Sequence, residues 1–186
     1  MDKFPPSWYN SSIYYENMGE NMSVSFLPKL ITEKLTDLTP ELLIARNVRL
    51  LMLDFDNTII PYTTNTPTGE VEAWITGMQT SPVKLCVVSN SKRDRVKHFC
   101  ESYGLPCITH AKKPFSKGIK ACLEQFEQSP SACALVGDQI FTDTLGANCA
   151  GVTSILVKAI NNHNFWLKAR HVLEMPFIYL ARKRRL

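Results

Sequence analysis

The chain has 186 residues, 45% hydrophobic and 20% charged, with a formal net charge of +4, which fits one sizeable globular domain with tails and excludes collagen-like or low-complexity chains. No run of about 18 apolar residues occurs, so no helix is expected to span a membrane. The six cysteines show neither CxxC nor Cys/His ligand spacing, which excludes that kind of zinc site and is met most simply by reduced thiols in a cytoplasmic protein.

Residues 1–25 are polar and aromatic, with Pro5-Pro6 and Tyr14-Tyr15. They carry no charged-then-apolar signal pattern and read as a disordered extension. Residues 26–38 hold an apolar stripe that suits either a core-facing or a surface-lying segment. Thr39-Pro40 then reads as a helix cap followed by proline at the first helical position.

From there apolar runs alternate with amphipathic stretches. Segments 48–54, 84–89, 106–109, 133–137 and 153–157 read as five strands, most of them near-continuously apolar, as for strands covered on both faces. Helices are expected over 70–79, over 92–103 with Asn90 or Ser91 as cap and Gly104 as stop, over 115–128, and over 143–150 closed by Gly151. Such alternation predicts an α/β fold: a Rossmann-like, three-layer arrangement on a five-stranded parallel sheet. The domain is expected over 26–160, followed by an amphipathic basic helix over 161–186.

In an open parallel sheet, reactive groups gather outside the carboxyl ends of the strands. The first expected strand ends in Leu53-Asp54-Phe55-Asp56-Asn57-Thr58. Carboxylates two positions apart on extended chain face the same side, repel, and call for a cation. The second strand ends in Val88-Ser89-Asn90, whose hydroxyl and helix-start amides suit an anion. After the third comes Ala111-Lys112-Lys113-Pro114, two candidate ammonium groups. The fourth ends in Gly137-Asp138-Gln139-Ile140-Phe141-Thr142-Asp143, with two more carboxylates. Together these offer oxygens for a hard divalent cation and donors for a phosphoryl group. Each piece alone is commonplace; their order at successive strand ends is not.

This order resembles the haloacid-dehalogenase superfamily of aspartate-nucleophile phosphatases, with all four of its motifs between Val48 and Val157. The resemblance implies Mg²⁺ as cofactor and Asp54 as the nucleophile that forms an aspartyl-phosphate. It implies Asp56 as the acid for the leaving alcohol and then the base for water, with its main-chain carbonyl on the metal. Asp138 would complete the metal site with Asp54; Ser89, Asn90 and Lys113 would bind phosphate; Asp143 and Thr58 would support them. It favours Lys113, next to the proline, over Lys112.

Asp54 and Ser89 are 35 positions apart, Ser89 and Lys113 only 24. Neither interval has room for a cap domain, so an open site is expected. The motif residues, with Leu27-Pro28-Lys29 and the run to Asn148, further resemble the YqeG family, whose relatives include phosphatidylglycerophosphatases. That resemblance implies a lipid phosphomonoester, phosphatidylglycerophosphate, as substrate. Residues 164–185 carry Phe165, Trp166, Phe177 and Leu180 with Lys168, Arg170 and Arg182-Lys183-Arg184-Arg185. This pattern suits either a helix lying on an anionic membrane from the cytoplasmic side or one packed on the core. No nucleic-acid partner is expected. A soluble phosphatase and a noncatalytic phosphate-binding scaffold are the competing readings.

Overall fold

The structure, a computed structural model, describes residues 25–92, 94–160 and 165–183, without the side chains of 165–172. The expectation of a disordered 1–25 therefore lies, but for Ser25, outside the described residues.

Six parallel strands form one sheet: β1 (Leu30–Thr32), β2 (Leu50–Leu53), β3 (Lys84–Val88), β4 (Cys107–Ile108), β5 (Cys133–Gly137) and β6 (Thr153–Val157), in the order β1-β6-β5-β2-β3-β4. The helices are α1 (Pro40–Ile44), α2 (Gly69–Gln79), α3 (Asp94–Ser102), α4 (Lys117–Gln125), α5 (Leu145–Ala150) and α6 (Phe165–Lys183).

β2 shows why the sheet is buried in the middle. All four of its residues are fully buried. Leu51 and Leu53 pack on one face with Leu38, Leu43, Ile75, Val87 and Phe99. Leu50 and Met52 pack on the other with Ile119, Cys122, Leu135 and Ala147. Alternation along one strand thus feeds two apolar layers, each side chain contributing about 1.5–3 kcal/mol by leaving water. All six cysteines are free thiols, and four are buried as small apolar residues.

The five expected strands form, and a sixth joins them. β1 pairs with β6 at the sheet edge, Leu30 opposite Ile155. Three residues are too few for period-two patterning to show, and the apolar stripe over 26–38 contains a strand followed by a 3₁₀ turn (Leu35–Asp37). Helix α3 starts later than expected, and one of its two supposed caps, Asn90, is occupied elsewhere. Asn90 grips the Lys113 main chain, and the Ser91 N–H donates to Ser89 Oγ. The stretch expected to form one helix over 143–150 divides into a π-helical turn (Ile140–Thr144) and α5, closed by Gly151 at φ 76°. The Asp143 and Thr144 N–H groups both donate to the Gln139 carbonyl, which widens that turn; such local widening is frequent at functional sites.

α6 runs unbroken through Pro176. From 173 onward it has two unlike faces. Glu174 and Ala181 are buried, and Phe177 packs its ring against Phe26 and Phe141 at 5.2 and 6.1 Å. Leu173 and Tyr179 point outward at 65% and 66% exposure, with Met175 and Leu180 beside them. From 173 onward the helix therefore packs on the domain along one face.

Candidate active site

The chain leaves β2 for β3 and β4 on one side, then returns to build β5 and β6 on the other. The carboxyl end of β2 is thus the sheet's topological switch point, where open α/β folds bind ligands. Asp54, Ser89 and Asp138 each directly follow the last residue of a strand, β2, β3 and β5 respectively. Main-chain bonds fix two of them: the Asp54 N–H donates to Val136 O at 2.9 Å, and the Ser89 N–H to Ile108 O at 2.9 Å.

These loops enclose a cleft of about 130 Å³ lined by Asp54, Asp56, Ser89, Asn90, Lys113 and Asp143, with Tyr62, Ser91, Gln139 and Thr142 around them. Lys113 is its electrostatic centre. The buried Nζ lies 2.7 Å from Asp54 Oδ1 and 2.8 Å from Asp143 Oδ1. Burial alone would lower the pKa of that ammonium; Asp143 and Asp54 outweigh it and hold the lysine charged. Lys112, by contrast, is exposed in a left-handed conformation at φ 56°. The Asn90 side chain fastens the lysine's main chain, Nδ2 donating to Lys113 O at 2.8 Å and Oδ1 accepting from Lys113 N at 2.6 Å. Its amide is therefore committed to placing Lys113 rather than to reaching an anion directly.

Thr58, also buried, donates to Asp54 Oδ2 at 3.4 Å. Asp143 Oδ2 accepts from Gln139 N at 3.1 Å, and Gln139 Nε2 donates to Asp138 Oδ1 at 3.4 Å. Gly137 gives Asp143 its room, since a Cβ there would overlap the Asp143 carboxyl. All eight residues singled out from sequence lie around this switch point. What the sequence did not reveal is Arg95. It lies in the helix expected over 92–103 and turns inward to Asp56, Nη2 to Oδ1 3.4 Å.

Asp54, Asp138 and Asp143 are buried and offer oxygens within 4.8 Å of one another. Asp54 and Asp143 share the Lys113 ammonium, and Asp143 bears the mark of its burial. Burial, then the charge on Asp54, push its carboxyl up to about 6, although Lys113 pulls the other way. An all-oxygen set with excess negative charge fits a hard divalent cation.

The fold, the strand-end aspartates and the buried lysine are arranged as expected for a phosphatase of the haloacid-dehalogenase type. It is capless: among the described residues, only α2, β3 and their connecting loops separate Asp54 from Ser89, and only α3, β4 and their connecting loops separate Ser89 from Lys113. Residues 19–160 match the family model described as mitochondrial PGP phosphatase, and the chain belongs to that family. It is 36% identical over 132 residues to "Probable phosphatase YqeG" of Bacillus subtilis (strain 168), covering 71% of this chain and 77% of that one. Its fold is similar to that of "putative 3-deoxy-D-manno-octulosonate 8-phosphate phosphatase" from Vibrio cholerae, with a TM-score of 0.52, 14% identity, and 72% and 77% of the two chains covered.

Proposed function

We propose that this chain is a Mg²⁺-dependent phosphomonoesterase that removes the terminal phosphate of phosphatidylglycerophosphate to leave phosphatidylglycerol. The observation that carries the chemistry is the buried Lys113 ammonium held between Asp54 and Asp143 in the cleft, with Asp138 close to both carboxylates.

In this reading Asp54 attacks phosphorus: an Asp54 Oδ–P bond forms and the P–O bond to the glycerol carbon chain breaks. Asp56 gives its proton to the departing oxygen, then takes one from the water that hydrolyses the aspartyl-phosphate. Ser89 and the main chain at Asn90 hold phosphoryl oxygens, and Lys113 balances charge on them. Asp54, Asp138 and the Asp56 carbonyl would hold Mg²⁺, with Asp143 anchoring Lys113. When bound, the cation supplies charge neutralisation at the phosphoryl group.

The lipid substrate is supported by the family to which the chain belongs and by the open site, which leaves room for a large phosphoester. The outward face of α6 adds to it. Leu173, Met175, Tyr179 and Leu180 lie beside Arg182 and Lys183, an apolar and basic combination suited to an anionic bilayer. No described helix is long and apolar enough to cross a membrane. The protein then works as a peripheral enzyme on the cytoplasmic surface of a membrane.

The test is phosphate release by purified protein with Mg²⁺ from phosphatidylglycerophosphate in mixed micelles, beside soluble sugar phosphates, nucleotides and phosphopeptides. A preference for the lipid by at least about tenfold in kcat/KM is expected. Preference for a soluble ester would overturn the lipid assignment, and release from none would overturn the enzyme reading for this chain.

A further inference from the structure

We infer that Arg95 is a positioning residue for Asp56, setting the direction from which that carboxyl meets the leaving group; this rests on the phosphatase reading above.

Arg95 lies in the first turn of α3, away from the four segments that carry the other site residues. Its side chain is only 14% exposed, against 15% for Asp56. Nη2 lies 3.4 Å from Asp56 Oδ1, a charge contact without a hydrogen bond, and donates to Pro61 O at 3.2 Å. Nη1 donates to Tyr62 O at 3.3 Å. The guanidinium lies over the Phe55 ring, Cζ 5.1 Å from its centroid. One side chain therefore touches the residue before Asp56, Asp56 itself, and the far limb of the loop that follows it.

That loop needs such a grip. Asn57 adopts φ 64°, its N–H donates to Ile60 O at 2.8 Å, and a lone bridge pairs Asp56 with Ile60. The main chain is thereby turned tightly, but nothing in those bonds orients the Asp56 carboxyl. The guanidinium does. At 3.4 Å the ion pair is longer than a tight charge-assisted bond of about 2.8 Å, so Arg95 steers the carboxyl without closing a bidentate fork on it. Lysine has no planar fork and cannot serve two carbonyls, a carboxylate and a ring face together.

The experiment compares two substrates that differ in their need for a proton. An alkyl phosphate such as glycerol 3-phosphate releases an alkoxide, which must be protonated as the P–O bond breaks. p-Nitrophenyl phosphate releases a phenolate that leaves as the anion. Reading kcat/KM restricts the comparison to steps up to formation of the aspartyl-phosphate, before Asp56 acts as base. Arg95→Gln is expected to lower kcat/KM about 10- to 100-fold for the alkyl ester and less than about threefold for the aryl ester. Arg95→Lys recovers part of the alkyl loss, and Lys97→Gln, on the exposed face of the same helix, leaves both rates as they were.

Equal loss on both esters, or none, with wild type active on both, overturns the role assigned to Arg95 and leaves the phosphatase reading standing. Wild type inert toward both esters and toward the lipid overturns that reading itself, and this inference with it. A melting curve for each variant identifies an equal loss that comes from unfolding.

Discussion

The carboxyl group of Asp143 fills the space that a Cβ on Gly137 would need. Gly137→Ala must therefore push Asp143 off Lys113 Nζ and the Gln139 N–H, or bend β5. We expect a stability loss of about 1–3 kcal/mol from overpacking and a fall in kcat/KM of at least about tenfold. Thermal unfolding and steady-state kinetics check both; a variant with wild-type kinetics would show that Asp143 need not be held where it lies.

Asp54→Asn keeps the shape of the nucleophile and removes its charge, while Lys113 retains Asp143 as a partner. Turnover is expected to fall by more than about 10³-fold with the circular dichroism spectrum unchanged. Phosphate release near the wild-type rate, from protein expressed without wild-type contamination, would rule out attack by Asp54.

Mg²⁺ should stabilise the folded protein whether or not substrate is present, because the cation relieves crowding among Asp54, Asp138 and Asp143. At a hundredfold excess over its dissociation constant, the gain is about 2.7 kcal/mol. Asp138→Asn should abolish most of the Mg²⁺-dependent rise in melting temperature. An equal rise in that variant would move the cation elsewhere.

The metal-free protein carries a pH signature. Burial, reinforced by the charge on Asp54, lifts Asp143 from the ordinary 3.8 to about 6. The folded state therefore binds a proton that the unfolded chain releases. That contribution is fully present below about pH 3.8 and is lost as pH rises through about 6. Urea midpoints in EDTA from pH 4 to 7 should show wild type losing ground against Asp143→Asn over this window. Parallel curves would place the proton elsewhere.

Glu174 reaches from α6 into the domain, where its buried Oε1 accepts from the Ile140 N–H at 2.9 Å. That N–H begins the turn bearing Asp143. Glu174→Leu leaves it without this acceptor and should cost about 1–3 kcal/mol. Glu174→Gln, which keeps a carbonyl oxygen in place, should recover most of the loss. Equal melting points for both variants would mean that the bond contributes nothing.

How much of this was legible from residue order depended on how each signal is written. β2, β3 and β5 are apolar throughout because both faces are covered, and their ends coincide with the charged motifs, so Asp54, Ser89 and Asp138 could be placed at once. Lys113 stood out because lysine before proline at a strand end matched a pattern. β1 was missed because three residues hold no period. The Asn90 and Arg95 roles were illegible for another reason. Each depends on contacts across tens of positions, Asn90 with Lys113 and Arg95 with Pro61, which no local pattern encodes. The α6 stripe suited two partners equally, and from 173 onward the helix buries Glu174 and Ala181 while leaving Leu173, Met175, Tyr179 and Leu180 exposed.

The pairing of β1 with β6 spans 125 residues, as the Lys29 contact with Ser154 illustrates. During synthesis at about 5–20 residues per second, the earlier strand waits several seconds for its only neighbour in the sheet. The rest of the sheet can nucleate from β2, β3 and β5 in that interval, while Leu30 and Ile31 stay without their native ladder. The earliest of the six described strands is then recruited late, and Leu30 and Ile31 stay open to chaperones until β6 has left the ribosome.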